Sequence, residues 1–175
     1  MKTKAQGFAL IDLIFVCAII AIIAGIALPR LLLAKQAAGS ASAIGSMRAI
    51  NSAQLTYALT CGAGFYAPDL PTLGTAPGGA REAFVSADLG ANATVMKSGY
   101  TIQLTATPFA SAPASCNGLA LGAGSQGYKA GADPTEPGNP RYFATNANAQ
   151  IWEDTATLFV AIPETGEPPT GHPLR

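Results

Sequence analysis

Charge is scarce in this chain and histidine scarcer. Only 11% of the 175 residues are charged, the 10 basic and 10 acidic side chains cancel, and His172 is the only histidine. A single histidine in a proline-rich tail leaves no base for a serine or cysteine triad and no histidine-rich metal site. The spaced basic residues Arg81, Lys97, Lys129 and Arg141 stand singly rather than in a run, so nothing draws the protein to nucleic acid. Gly122-Ala123-Gly124-Ser125-Gln126-Gly127 satisfies the spacing of a dinucleotide loop. No βαβ unit surrounds it and Tyr128-Lys129 does not open a helix, which argues against a nucleotide. No catalytic constellation is present, and no cofactor is expected. Asp133 with Glu136, and Glu153 with Asp154, would offer oxygen ligands to calcium if the fold gathered them; as sequence they read as solvated acids on turns.

What is present is one long apolar run. From Leu13 to Pro29 there is no charge, and the only acid before Asp69 is Asp12, at the head of the run. About twenty apolar residues span a bilayer core as a helix, so Asp12 lies at the lip of the hydrocarbon or inside it. A carboxylate there costs up to about 3 kcal/mol near the helix centre and less toward an end, unless a positive group meets it. Lys2 and Lys4 precede the run, which places the N-terminus in the cytoplasm and the bulk of the chain outside it. Cys17, inside the run, reads as a small buried hydrophobe, and Val16 before it makes a poor lipobox. Cys61 and Cys116 fall in the exported part, where an oxidising compartment favours a disulfide between them.

The N-terminal residues carry a resemblance. A short basic leader ending at Gly7, then Phe8, an acid at Asp12, a long apolar helix and Pro29 near its far end resemble the signal of type IV pilins and of the major pseudopilin of type II secretion. The resemblance implies a leader of residues 1–7 removed between Gly7 and Phe8 by a prepilin peptidase, and N-methylation of the Phe8 amine. It also implies pairing of Asp12 with the N-terminus of a neighbouring subunit, where the family usually has Glu. Residues 8–29 would then be a transmembrane and filament-core helix in the bacterial inner membrane, N-terminus cytoplasmic. The partners would be other subunits in a helical filament and an inner-membrane assembly platform, and the destination a periplasmic pseudopilus or a surface pilus. Some major pseudopilins of this group bind calcium in the head.

The helical pattern continues past the run, over residues 30–60, as the outer amphipathic half of the same helix. Ile44, Met47, Leu55 and Ala58 fall within about 80° of one another at 100° per residue, while Ser42, Ser46, Ser52 and Thr56 lie off that stripe. Pro29 cannot donate to the Gly25 carbonyl and Gly25 is itself a weak helix former, so residues 25–29 are the softest part of the rod. The soft part is either a tolerated kink or, by resemblance to pilins, a segment that extends on assembly. Glycine ends the helix near Cys61-Gly62-Ala63-Gly64. A connecting loop is expected over 61–98, with a short helical turn at 82–88. Strands are expected at 100–107, 127–132, 141–145 and 149–153, the last two a hairpin turning at Asn146-Ala147-Asn148, with a last short strand or extended piece at 157–162. Lys97-Ser98-Gly99-Tyr100, Arg141-Tyr142-Phe143-Ala144-Thr145 and Gln150-Ile151-Trp152 resemble pilin-like heads. The expected class is α+β and pilin-like: a long N-terminal helix packed on a small antiparallel sheet, with a head over 61–162 and an extended proline-rich tail over 163–175.

A competing expectation is a secreted soluble binding domain, with residues 1–27 an ordinary signal peptide cleaved after Gly25-Ile26-Ala27. Asp12 stands against it, because a signal peptide has no use for an acid in its apolar core.

Overall fold

The computed structural model describes residues 10–174, so Gly7 and Phe8 lie outside the described residues. Helix α1 runs Leu10–Thr60 with Pro29 inside it. Two compact units divide between Ala37 and Ala38, within this helix. The helix ends where glycine enters: the Cys61 and Gly62 amides both donate to the Tyr57 carbonyl at 2.9 and 2.7 Å, and the Gly64 amide donates to Ala58. These bonds satisfy carbonyls that a helix end otherwise leaves bare.

The second unit is an α+β fold. After α1 come a short helix α2 (Leu70–Gly74) and six strands, β1 (Thr94–Lys97), β2 (Tyr100–Thr105), β3 (Lys129–Pro134), β4 (Tyr142–Asn146), β5 (Ile151–Asp154) and β6 (His172–Pro173). They form one antiparallel sheet in sequence order. Side chains alternate across it. Tyr100, Ile102, Leu104, Ala130, Ala132, Phe143 and Ile151 join Ala43, Met47, Ile50, Ala53 and Tyr57 of α1 in the main core. Tyr57, Tyr100, Tyr128 and Phe143 are fully buried, each stabilising the head by about 1.5–3 kcal/mol. On the opposite face Ala144 and Trp152 form a second cluster with Leu158 and Ile162.

Several expectations are corrected. The loop over 61–98 contains β1, because Ser98 (φ 52) and Gly99 (φ 80) make the two-residue turn that a tight hairpin needs, pairing Lys97 with Tyr100. Residues 82–88 form turns, not a helix. The helix is α2, capped by Asp69, whose carboxylate accepts from the Thr72 amide at 2.9 Å and hydroxyl at 2.6 Å. Residues 157–162 are not a strand. They cross the outer face of the sheet with Phe159 against Gly131, where a Cβ would come within 2.7 Å of the Phe159 Cβ. The tail adds β6 to β5, and Asn146, fully buried, donates from Nδ2 to the Pro163 and Gly166 carbonyls. The buried face of α1 is also rotated from the expected stripe. Leu55 is 56% exposed, while Ser46 is buried, because the face against the sheet is lined by small side chains and by polar ones that find partners.

Gln54 is the clearest such case. Its Nε2 donates to the Ala67 carbonyl at 2.8 Å and its Oε1 accepts from the Ala67 amide at 2.9 Å, all buried. One side chain thus satisfies both polar groups of a buried loop residue. Gln54→Leu is expected to destabilise the head by about 2–4 kcal/mol, since it strands a buried donor and acceptor. The measurement is the urea midpoint of the detergent-solubilised chain, and an unchanged midpoint would remove Gln54 from this role.

Candidate functional site

Helix α1 is long and apolar enough to cross a membrane, and none of its most apolar stretch is buried. From Leu10 to Lys35 every residue is exposed except Ala24, which is half-buried. Leu10 and Ile11 are 73% exposed, Phe15 67% and Leu33 66%. Water does not tolerate a contiguous apolar surface of this size, so lipid or other protein must cover it. Backbone hydrogen bonds are met within the helix, which makes it the one simple element that survives in hydrocarbon.

Asp12 sits exposed in the first described turn, the only acid on α1. Gly25 is helical with nothing within 4 Å of where a Cβ would stand, so its weakness is conformational rather than a packing need. Pro29 is exposed and helical, and the carbonyl of Gly25 lacks its usual donor. Cys17 is a free thiol on the same uncovered stretch. Asp12, Gly25 and Pro29 therefore lie on one uncovered span.

In the head, Cys61 and Cys116 are joined by a disulfide, with Cα atoms 4.9 Å apart. The bridge ties the end of α1 to the loop between β2 and β3, and the Cys116 amide also donates to the Cys61 carbonyl at 3.2 Å. The glycine pattern at 122–127 falls in this loop, with Ser125 bridged to Tyr66 and Pro108. No helix follows it.

Three of the four acids considered for calcium, Glu153, Asp133 and Asp154, take separate roles. Arg141 donates to both oxygens of Glu153, at 2.6 and 3.0 Å, and its guanidinium lies 5.2 Å over the Phe143 ring. Asp133 accepts from the Thr157 hydroxyl at 2.7 Å while its other oxygen is buried without a partner. Asp154 accepts from the Thr155 amide. Among the described residues no group of three or more His, Cys, Asp or Glu is placed to hold a metal ion. Arg141, Glu153, His172, Pro173 and Leu174 line an open cleft of about 540 Å³. Its charges largely satisfy one another.

Asn51 is a residue the sequence did not single out. Its Nδ2 donates to the Ala149 carbonyl at 3.0 Å, and its Oδ1 accepts from the Tyr128 and Thr145 hydroxyls at 2.9 and 3.0 Å. It pins α1 to β3, β4 and the turn after β4. A polar residue close to the apolar stripe was the one available signal.

Ionisation has two signs here. The hydrogen bond from Arg141 holds Glu153 below the usual carboxylate range, so the stability it contributes is present above the ordinary glutamate pKa and is lost as pH falls through the lowered one. Burial pushes Asp133 up, so its protonation favours the fold as pH falls through the raised value. Arg141→Gln is expected to cost about 1 kcal/mol or less at pH 7, the pair being partly solvated, and less at pH 2, where protonation of Glu153 weakens the pair while the contact with the Phe143 ring remains. Thermal unfolding at the two pH values measures this, and an equal loss at both would assign Arg141 a packing role alone. No family model matches the chain, and neither a curated protein nor a solved structure does.

Proposed function

We propose that this chain is a structural subunit of a type IV pilus or of a type II secretion pseudopilus. It is made as a membrane-anchored precursor, cleaved after Gly7, methylated at Phe8 and assembled through its apolar helix. The observation that carries this reading is the span from Leu10 to Lys35, in which no side chain is buried. It leads into the helix on which an α+β head is built. Such a chain has an apolar face to give either to lipid or to copies of itself. Burial of that face among neighbouring helices replaces lipid contacts at small net gain. Register must then come from a charge, and Asp12 is the one acid available, paired with the Phe8 amine of a neighbour in a geometry that tolerates little displacement. Residues 25–29 supply a weak segment where the helix can extend as subunits pack.

A secreted soluble domain starting at Leu28 has one observation in its favour, the compact unit that begins at Ala38. It would leave Leu28, Leu31, Leu32 and Leu33 at 58–66% exposure on a soluble product, which weighs against it.

Two measurements test the proposal. The mature polypeptide is expected to begin at Phe8, one methyl group heavier than the bare chain by intact mass; a start at Leu28 selects the soluble domain, and retention of Met1 overturns both. Asp12→Ala is expected to insert and mature normally while filament yield falls at least tenfold. Normal filaments from that variant would refute the role of the acid.

A further inference from the structure

Asp12 and Arg30 are the two charges that flank the uncharged run from Leu13 to Pro29. They are eighteen residues apart with no charge between them. Both are exposed, and among the described residues neither has an ion-pair partner. At 100° and 1.5 Å per residue, eighteen residues are five whole turns, so the two side chains leave the same side of the helix about 27 Å apart. Lys35 does not share that side; it falls about 140° round from Asp12. A hydrocarbon core is about 30 Å thick, which puts Asp12 at one lip and Arg30 at the other.

We propose that Arg30 receives Asp12 from a second copy of this chain displaced outward by five helical turns. Copies inserted from the same side are parallel, so the charges of two unshifted helices meet like to like. A shift of about 27 Å brings one copy's carboxylate level with the other's guanidinium, and the fork of arginine suits a carboxylate better than lysine does. The occupant is a copy of this chain rather than a lipid phosphate because the matching acid exists at the complementary spacing on the same face. The pairing gives the carboxylate a partner when its helix is drawn toward the outer lip, where it would otherwise have crossed the hydrocarbon unmet. The displacement rests on the filament reading; the charge match itself does not.

The test keeps both charges in place. Cysteines are introduced one turn beyond each, Val16→Cys in one tagged copy and Ala34→Cys in a differently tagged copy, both in a Cys17→Ala background, and the co-expressed chains are oxidised in membranes. A mixed-tag disulfide between positions 16 and 34 is expected. It should fall at least tenfold with Arg30→Gln or with Asp12→Asn, and return when Asp12→Arg is combined with Arg30→Asp, because only the sign is exchanged. Val16→Cys paired with Ile23→Cys reports a shift of two turns and serves as the competing register. A 16–23 disulfide without a 16–34 one, or a 16–34 disulfide indifferent to Arg30→Gln, overturns the pairing. If filaments form and the 16–34 disulfide is absent, the pairing alone is wrong. If the mature chain retains Met1 to Gly7 and no filaments form, the filament reading is wrong, and the charge-dependent disulfide still decides the pairing.

Discussion

Among the described residues, the stretch of α1 from Leu10 to Lys35 buries no side chain, and its apolar surface needs a cover. Apolar side chains from Leu10 to Leu33 are exposed on all sides, whereas from Gly39 onward the same helix buries a face. Apart from the Gly25 carbonyl, which faces Pro29, the backbone of the uncovered half is satisfied within the helix. Lipid tails and leucines are nearly equivalent neighbours. Grease alone then fixes neither the rotation nor the height of one helix against another, and only the few charges on the span can do so.

The covered half solves the same problem with hydrogen bonds. Gln54 closes on both polar groups of Ala67, Asn51 engages two strands and a turn, and Ser40 and Asn139 meet at the Tyr100 hydroxyl at 2.8 and 3.0 Å. Each of these groups is buried or partly so, and each fails if the helix turns by one position. A satisfied polar network in a low-dielectric interior selects one arrangement over its neighbours more sharply than apolar packing does. The small residues Ala43 and Ala53 beside these pins let helix and sheet come close enough for the bonds to form.

Local features were legible in the sequence and distant ones were not. The length of α1, its end at Cys61-Gly62, strand β2 before Pro108 and the β4–β5 hairpin follow from neighbours a few residues apart. Strand β6 has two residues and no pattern of its own; it exists because β5 offers an unpaired edge. Residues 157–162 have the composition of a strand, yet Leu158 and Ile162 face one cluster, four apart, as a turn places them. Asn51 has partners 77 to 98 residues away, and no local signal identifies them. The stripe on α1 was misplaced because bulk was taken as the mark of burial, while this interface buries alanine, serine and glutamine and leaves Leu55 in the open.

The position of the soft segment follows from the same division. Proline removes an amide donor, and the Gly25 carbonyl left behind is costly in hydrocarbon but not where water or headgroups reach it. Thirteen residues past Asp12, Gly25 is about 20 Å along the helix, nearer the middle of a core about 30 Å thick than its outer edge, so the missing bond makes this the weakest part of the span. Extending five residues from helical to strand-like rise lengthens the chain by about 9 Å. Because residues 25–29 lie between Asp12 and Arg30, such an extension changes the spacing and relative facing of those two charges, so their five-turn match holds only while the segment stays helical.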